Sequence, residues 1–151
     1  MKRLFAAMTL AVLLTAPALA AEPQAWPWKS TMPPDPALAK LSKISDVTAS
    51  VDGAMVKISV KAMAPVPGFS ELQLTPRIGD PEDRIFAFDA RGRTPQDVST
   101  QVETPVSIEA AYTDAPLGKF DVIEVHAKDN CMGYSVTDQK PVECSGKSIP
   151  Q

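Results

Sequence analysis

The stretch DVTASVDGAMVKISVKA, from Asp46 to Ala62, decides how this chain is read. Val47, Ala49 and Val51 alternate with polar residues, Asp52-Gly53 interrupts, and Val56, Ile58 and Val60 then alternate with Lys57, Ser59 and Lys61. Successive side chains of a strand point to opposite faces, so each run has one apolar face and one wet face. An Asp-Gly pair between two such runs is a strong hairpin signal, because both residues tolerate the positive φ of a tight turn. The spacing predicts two antiparallel strands that turn at Asp52-Gly53 and pack one face on a core.

The pattern continues toward the C-terminus. Pro65 to Gly68 break it, and FSELQLTPRI carries a strand through Leu72 and Leu74 that Pro76 ends or bulges. After the acidic turn GDPED, the segment RIFAFDA places Ile85, Phe86 and Phe88 on a further strand, and Arg91-Gly92-Arg93 with Pro95 reads as a loop. Val106, Ile108, Ala110 and Tyr112 alternate in TPVSIEAAYTDAP, and a Pro-Leu-Gly turn follows. In KFDVIEVHAKD, Ile123, Val125 and Ala127 alternate against Val122, Glu124 and His126. A last hairpin is expected from Gly133–Val136 and Lys140–Cys144. About seven to eight short strands between Pro, Gly and Asp turns predict an all-β fold, an immunoglobulin-like antiparallel β-sandwich, with a small closed barrel as the competitor.

Upstream of Ile44 the composition changes. The first 20 residues, MKRLFAAMTLAVLLTAPALA, show basic Lys2-Arg3, an apolar run and a small-residue end at Ala18-Leu19-Ala20, the pattern of a secretory signal peptide over 1–20. The apolar run is shorter than the ~20 residues a membrane helix needs, so no membrane insertion is expected after cleavage. Residues 21–43 read as an N-terminal arm, whose five prolines between Ala21 and Pro36 favour extended backbone. Asp35-Pro36 before ALAKL predicts a short helix, with Asp35 as its cap and Leu38 and Leu41 on one face. Trp26 and Trp28 are candidate partner-binding residues; the alternative is that the arm folds back and covers its own domain. Residues 44–151 form the β domain.

The 151-residue chain carries 15 Lys and Arg against 18 Asp and Glu, and removal of Lys2 and Arg3 takes the net charge from −3 to −5. An acidic domain repels phosphate backbones, which argues against nucleic acid as a partner. Periplasmic or secreted localisation follows from the leader. In such an oxidising compartment the two cysteines, Cys131 and Cys144, are expected to form one disulfide. Their spacing is not that of a Cys-x-x-Cys redox pair. The lone histidine, His126, and two cysteines fall short of the four ligands of structural zinc.

Catalytic signals are sparse. His126 and Glu124 share a strand face and are the candidates for a metal or proton-transfer pair, with Asp121 or Asp129 brought close by local bends; the alternative is an outward polar face. No cofactor is called for. Met32, Met55, Met63 and Met132 lack the clustering of a copper site, and Asp80, Glu82 and Asp83 lack an EF-hand pattern. At ISDVTASVDG, GFSELQLTPRI, IFAFDARG and PVSIEAAYTDAPLGKFDVIEVHAKDNC the chain resembles a set of small exported bacterial β-sandwich proteins without an assigned function. That resemblance implies a periplasmic β-sandwich and brings no catalytic residues. The sequence reading is a non-enzymatic module that binds an envelope protein or peptide; the alternative is a metal-binding or hydrolytic protein centred on Glu124 and His126.

Overall fold

The computed structural model describes residues 21–27, 34–77, 84–97 and 100–145. The expected signal peptide, Trp28, Met32 and the acidic residues Asp80, Glu82 and Asp83 lie outside these. Among the described residues there are ten strands: β1 (Pro23–Ala25), β2 (Leu38–Lys40), β3 (Lys43–Asp52), β4 (Met55–Ala64), β5 (Ser70–Pro76), β6 (Ile85–Arg93), β7 (Thr104–Thr113), β8 (Val122–His126), β9 (Cys131–Ser135) and β10 (Lys140–Val142). They form a four-stranded sheet in the order β1-β7-β4-β3 and a six-stranded sheet in the order β10-β9-β8-β6-β2, with β5 also on β6.

The β3–β4 hairpin pairs Asp52 with Met55, so its two turn residues are Gly53 and Ala54. The turn is therefore one residue later than the sequence reading put it. Gly53 has φ of 60°, which suits glycine at the first central position of a primed hairpin turn. Val56, Ile58, Val60, Ala62 and Ala64 are buried as the alternation requires, and so are Val47 and Ala49. Val51, next to the turn, is 39% exposed.

The expected sandwich forms, with ten strands and with mixed pairing. β6 and β8 run parallel, from Ile85 opposite Val122 to Asp89 opposite His126, and the chain between them crosses to the other sheet to make β7. β1 lies parallel to β7. Two expectations fail here. In place of a helix after Asp35, the Asp35 side chain accepts from Ala37 N, and Leu38 N bonds the Asp35 carbonyl. This Asx-type turn feeds β2, which bonds to the edge of β6 at Arg91–Arg93. Inter-strand bonds outweigh the propensity of a segment too short to hold a helix alone. For the same reason Arg91-Gly92-Arg93 is strand and not loop: β2 and β5 claim its two edges.

Trp26 follows the fold-back reading of the arm. Its ring is buried and stacks on Phe120 at 4.8 Å, with Phe86 at 4.7 Å and Tyr112 at 5.4 Å. Trp26 N bonds the Thr113 carbonyl, which carries the arm on from β1 along β7. Large aromatic area is removed from water without the translational cost of a second molecule, so intramolecular docking wins. Trp26 therefore belongs to the core and is not a free docking residue.

Replacing Trp26 by Ala should lower the unfolding free energy by about 3–5 kcal/mol, read from urea denaturation followed by far-ultraviolet circular dichroism. A change below about 1 kcal/mol would show that the ring is not a core element.

Candidate functional site

The outer face of the six-stranded sheet holds the candidate site. Register places Glu124 of β8 between Ala87 of β6 and Gly133 of β9, and His126 between Asp89 and Cys131. Phe86, Phe88, Ile123, Val125 and Tyr134 alternate with these and join the core cluster beneath. One row across the outer face thus reads Asp89, His126, Cys131; the row beside it reads Ala87, Glu124, Gly133.

The sequence reading left Glu124 on a wet face, and the structure overturns this. Its side chain is only 3% exposed. The segment after β10 crosses back over the sheet and covers it, so that Ser145 N donates to Glu124 Oε1 at 2.7 Å. Gly133 makes the crossing feasible. A Cβ there would lie 3.0 Å from both the Val142 carbonyl oxygen and Val142 Cγ2, closer than side chains ordinarily approach. The strap is tied down by the Cys131–Cys144 disulfide, whose Cα atoms stand 6.1 Å apart, within the normal span of such a bridge.

His126 completes the arrangement. Its Nε2 lies 3.2 Å from Glu124 Oε2 and 3.5 Å from Cys131 Sγ. Burial lowers its pKa below the ordinary 6.5, and the Arg77 charge adds to this; Glu124 and Asp89 pull the other way without reversing it. The imidazole is therefore neutral near pH 7, and its contact with the carboxylate is an Nε2–H donation. One ligand atom from each of Glu124, His126, Cys131 and Cys144 can be chosen so that all lie within 4.8 Å of one another.

Beside this group sits an ionic cluster that sequence reasoning missed. Asp89 is buried and meets Arg91 at 3.0 Å, Lys40 at 3.6 Å and Arg77 at 3.7 Å. Arg91 also donates to the Leu38 carbonyl. The signal was present in FDAR, where a charge two residues from another, in a strand of large apolar residues, puts both on one face. Neither suggested aspartate joins the site. Asp121 is held by Arg84 ahead of β8, at the opposite end of the strand from His126, and Asp129 is exposed in the β8–β9 loop, where its N bonds the Ser42 carbonyl.

Chemically, the group is a neutral imidazole against a buried carboxylate and a disulfide, and among the described residues no hydroxyl or free thiol is hydrogen-bonded to it. Elsewhere, a depression of about 250 Å³ on the four-stranded sheet is lined by Thr48, Ala49, Ser50, Lys57, Ser59 and Glu109, with Ser59 Oγ donating to Glu109 at 2.6 Å. It lies on the other sheet and holds no histidine or cysteine. Comparison with protein-family models, with curated proteins and with solved structures gives no match.

Gly133→Ala should cost about 1–3 kcal/mol through overpacking, and should speed hydrogen exchange at the Ser145 amide as the strap lifts. Exchange at Ser145 unchanged from wild type would contradict this crossing. The lowered pKa of His126 gives a second outcome. The unfolded chain takes up a proton near pH 6.5 while the folded one resists until lower pH, so stability held above about pH 6.5 falls as pH drops through the folded value. Urea midpoints between pH 5 and 8 should show this slope, about one group's worth, and His126→Gln should flatten it.

Proposed function

We propose that this protein is an exported, non-enzymatic binding module that takes up an extended segment of an envelope protein or peptide by strand addition to β3. One observation carries the proposal: among the described residues, the ten-residue strand β3 has a ladder partner, β4, on one side only. At its start Asn130 bonds both N and O of Ile44, in the manner of a neighbouring strand. From Asp46 to Asp52 no backbone bond from another described residue reaches the other side.

The remaining sheet edges are less inviting. β1 is only three residues long and pairs the far edge of the same sheet at Ala111–Thr113, and the rest of that edge, on β7, contains Pro105. β10 is equally short and contains Pro141, while β5 is interrupted by a register shift and ends at Pro76. Short strands, bulges and prolines are the devices by which edges are kept from pairing. Thr48, Ser50 and Asp52 are exposed along β3, which suits a polar, extended partner. Asp46 and Asp52 at the two ends of the open stretch favour basic residues in it. With its ring in the core, Trp26 is removed as a docking residue.

The test is selection of peptides from a random display library on the immobilised protein, followed by amide hydrogen exchange on the complexes. Bound peptides should slow exchange within Asp46–Asp52, and exchanging Asp46 and Asp52 for Lys should weaken basic peptides several-fold. A library that yields no binder, or protection confined to other strands, would remove this reading.

A further inference from the structure

We infer that the Cys131–Cys144 disulfide closes a latent zinc site, and that its reduction frees a tetrahedral set of Cys131, Cys144, His126 and Glu124. This site lies on the opposite sheet from β3, and the inference stands independently of the peptide-binding reading. Sequence reasoning counted three ligands and stopped. The fourth, Glu124, became available only because the strap turns a strand-face carboxylate inward beside the sulfurs.

The geometry is close to what zinc needs. With zinc–sulfur bonds of about 2.3 Å and zinc–nitrogen or zinc–oxygen bonds of about 2.0–2.1 Å, a tetrahedron spaces sulfur from nitrogen by about 3.6 Å and nitrogen from oxygen by about 3.3 Å. The corresponding distances are 3.5 Å from Cys131 Sγ to His126 Nε2 and 3.2 Å from His126 Nε2 to Glu124 Oε2. Two edges of the polyhedron therefore exist already. The widest separation in the group, 4.8 Å, must close by roughly 1 Å, and the two sulfurs must part to about 3.8 Å. Cys144 can make that adjustment because it follows β10 in a segment with no ladder partner, whereas Cys131 is fixed in β9. Glu124 is pre-set: Ser145 N holds Oε1, which leaves Oε2 on the side of the imidazole. Orientation of a ligand by such an outer bond is a regular feature of metal sites. Two thiolates, one imidazole and one carboxylate suit zinc better than the hard-cation alternatives, which take oxygen ligands alone.

The chemistry balances with a dithiol as reductant. It gives two electrons and two protons to the bridge, its own thiols becoming a disulfide, and Cys131 and Cys144 become thiols. Zinc(II) then displaces the two thiol protons to solvent and binds two thiolates, neutral His126 through Nε2 with the ring proton on Nδ1, and the Glu124 carboxylate. Both cysteines belong to partly exposed residues, so the bridge lies within reach of a reductant.

The experiment uses protein without a His tag, oxidised or reduced with a phosphine and desalted under nitrogen, titrated with cobalt(II) and then zinc(II). Reduced protein should take up one equivalent of cobalt, with thiolate-to-cobalt charge transfer and tetrahedral d–d absorption that zinc abolishes, and zinc should release two protons. Oxidised protein should take up none. Glu124→Gln and His126→Ala should each weaken zinc binding by more than about tenfold, with the charge-transfer band retained in Glu124→Gln. If the reduced chain loses its strand circular dichroism, zinc should restore it in the wild type and not in His126→Ala. The inference falls if reduced protein binds no metal or is not refolded by it, if oxidised protein binds equally well, or if the two variants bind as tightly as wild type.

Discussion

Trp26 packs at once on both sheets and on the loop that joins β7 to β8. Its ring meets Phe86 and Phe88 from the six-stranded sheet, Tyr112 from the four-stranded one, and Phe120 between them. Tilted and offset aromatic pairs of this kind add to the large apolar area each ring removes from water. The described start of the proline-rich arm is thereby recruited as a structural part, and it pairs β7 at Ala111–Thr113 on the edge opposite β4. Among the described residues the indole nitrogen has no hydrogen-bond partner, so burial of the ring outweighs the loss of one donor's hydration. The same burial pushes the Tyr112 hydroxyl up to about 12.

The six-stranded sheet is covered on its inner face by the core and on part of its outer face by the chain's own C-terminal segment. That second covering is what brings polar groups into a dry setting. Glu124 and Asp89 occupy neighbouring rows, and each is compensated in its own way: Glu124 by the Ser145 amide and a neutral imidazole, Asp89 by three cations. Buried charge without such partners would cost several kcal/mol, on the order of the net stability of a domain this size. The outer rows are therefore as constrained as the core, though by pairing and not by packing. The disulfide keeps the strap in place, and by the chain-entropy estimate a loop of this length contributes about 3 kcal/mol.

The two readings of function use different faces of the molecule. Strand addition asks only for unpaired backbone on β3, a property of sheet order that no side chain advertises. The thiol-dependent metal site asks for four side chains from β8, β9 and the segment after β10 to converge. One is a matter of where a sheet ends, the other of which segment crosses over it.

Much of the fold was legible because strand periodicity is local. Alternation in DVTASVDGAMVKISVKA determined the β3–β4 hairpin and its buried face, and the count of two cysteines, read with the expectation of an oxidising compartment, led to the bridge that the structure contains. The error of one residue at the turn is of the same local kind. The fates of Asp35–Leu41, of Arg91–Arg93 and of Trp26 were not legible, since each was decided by a partner distant in sequence. Glu124 shows this most clearly. Period two put it correctly on the face away from the core, and that face would have been wet had Gly133 not let Val142–Ser145 pass over it. The sequence by itself determined which face of each strand a residue takes, because backbone geometry sets that residue by residue; whether that face meets water, another sheet or the chain's own tail was decided only by the tertiary structure, because covering a face requires segments that no local rule relates.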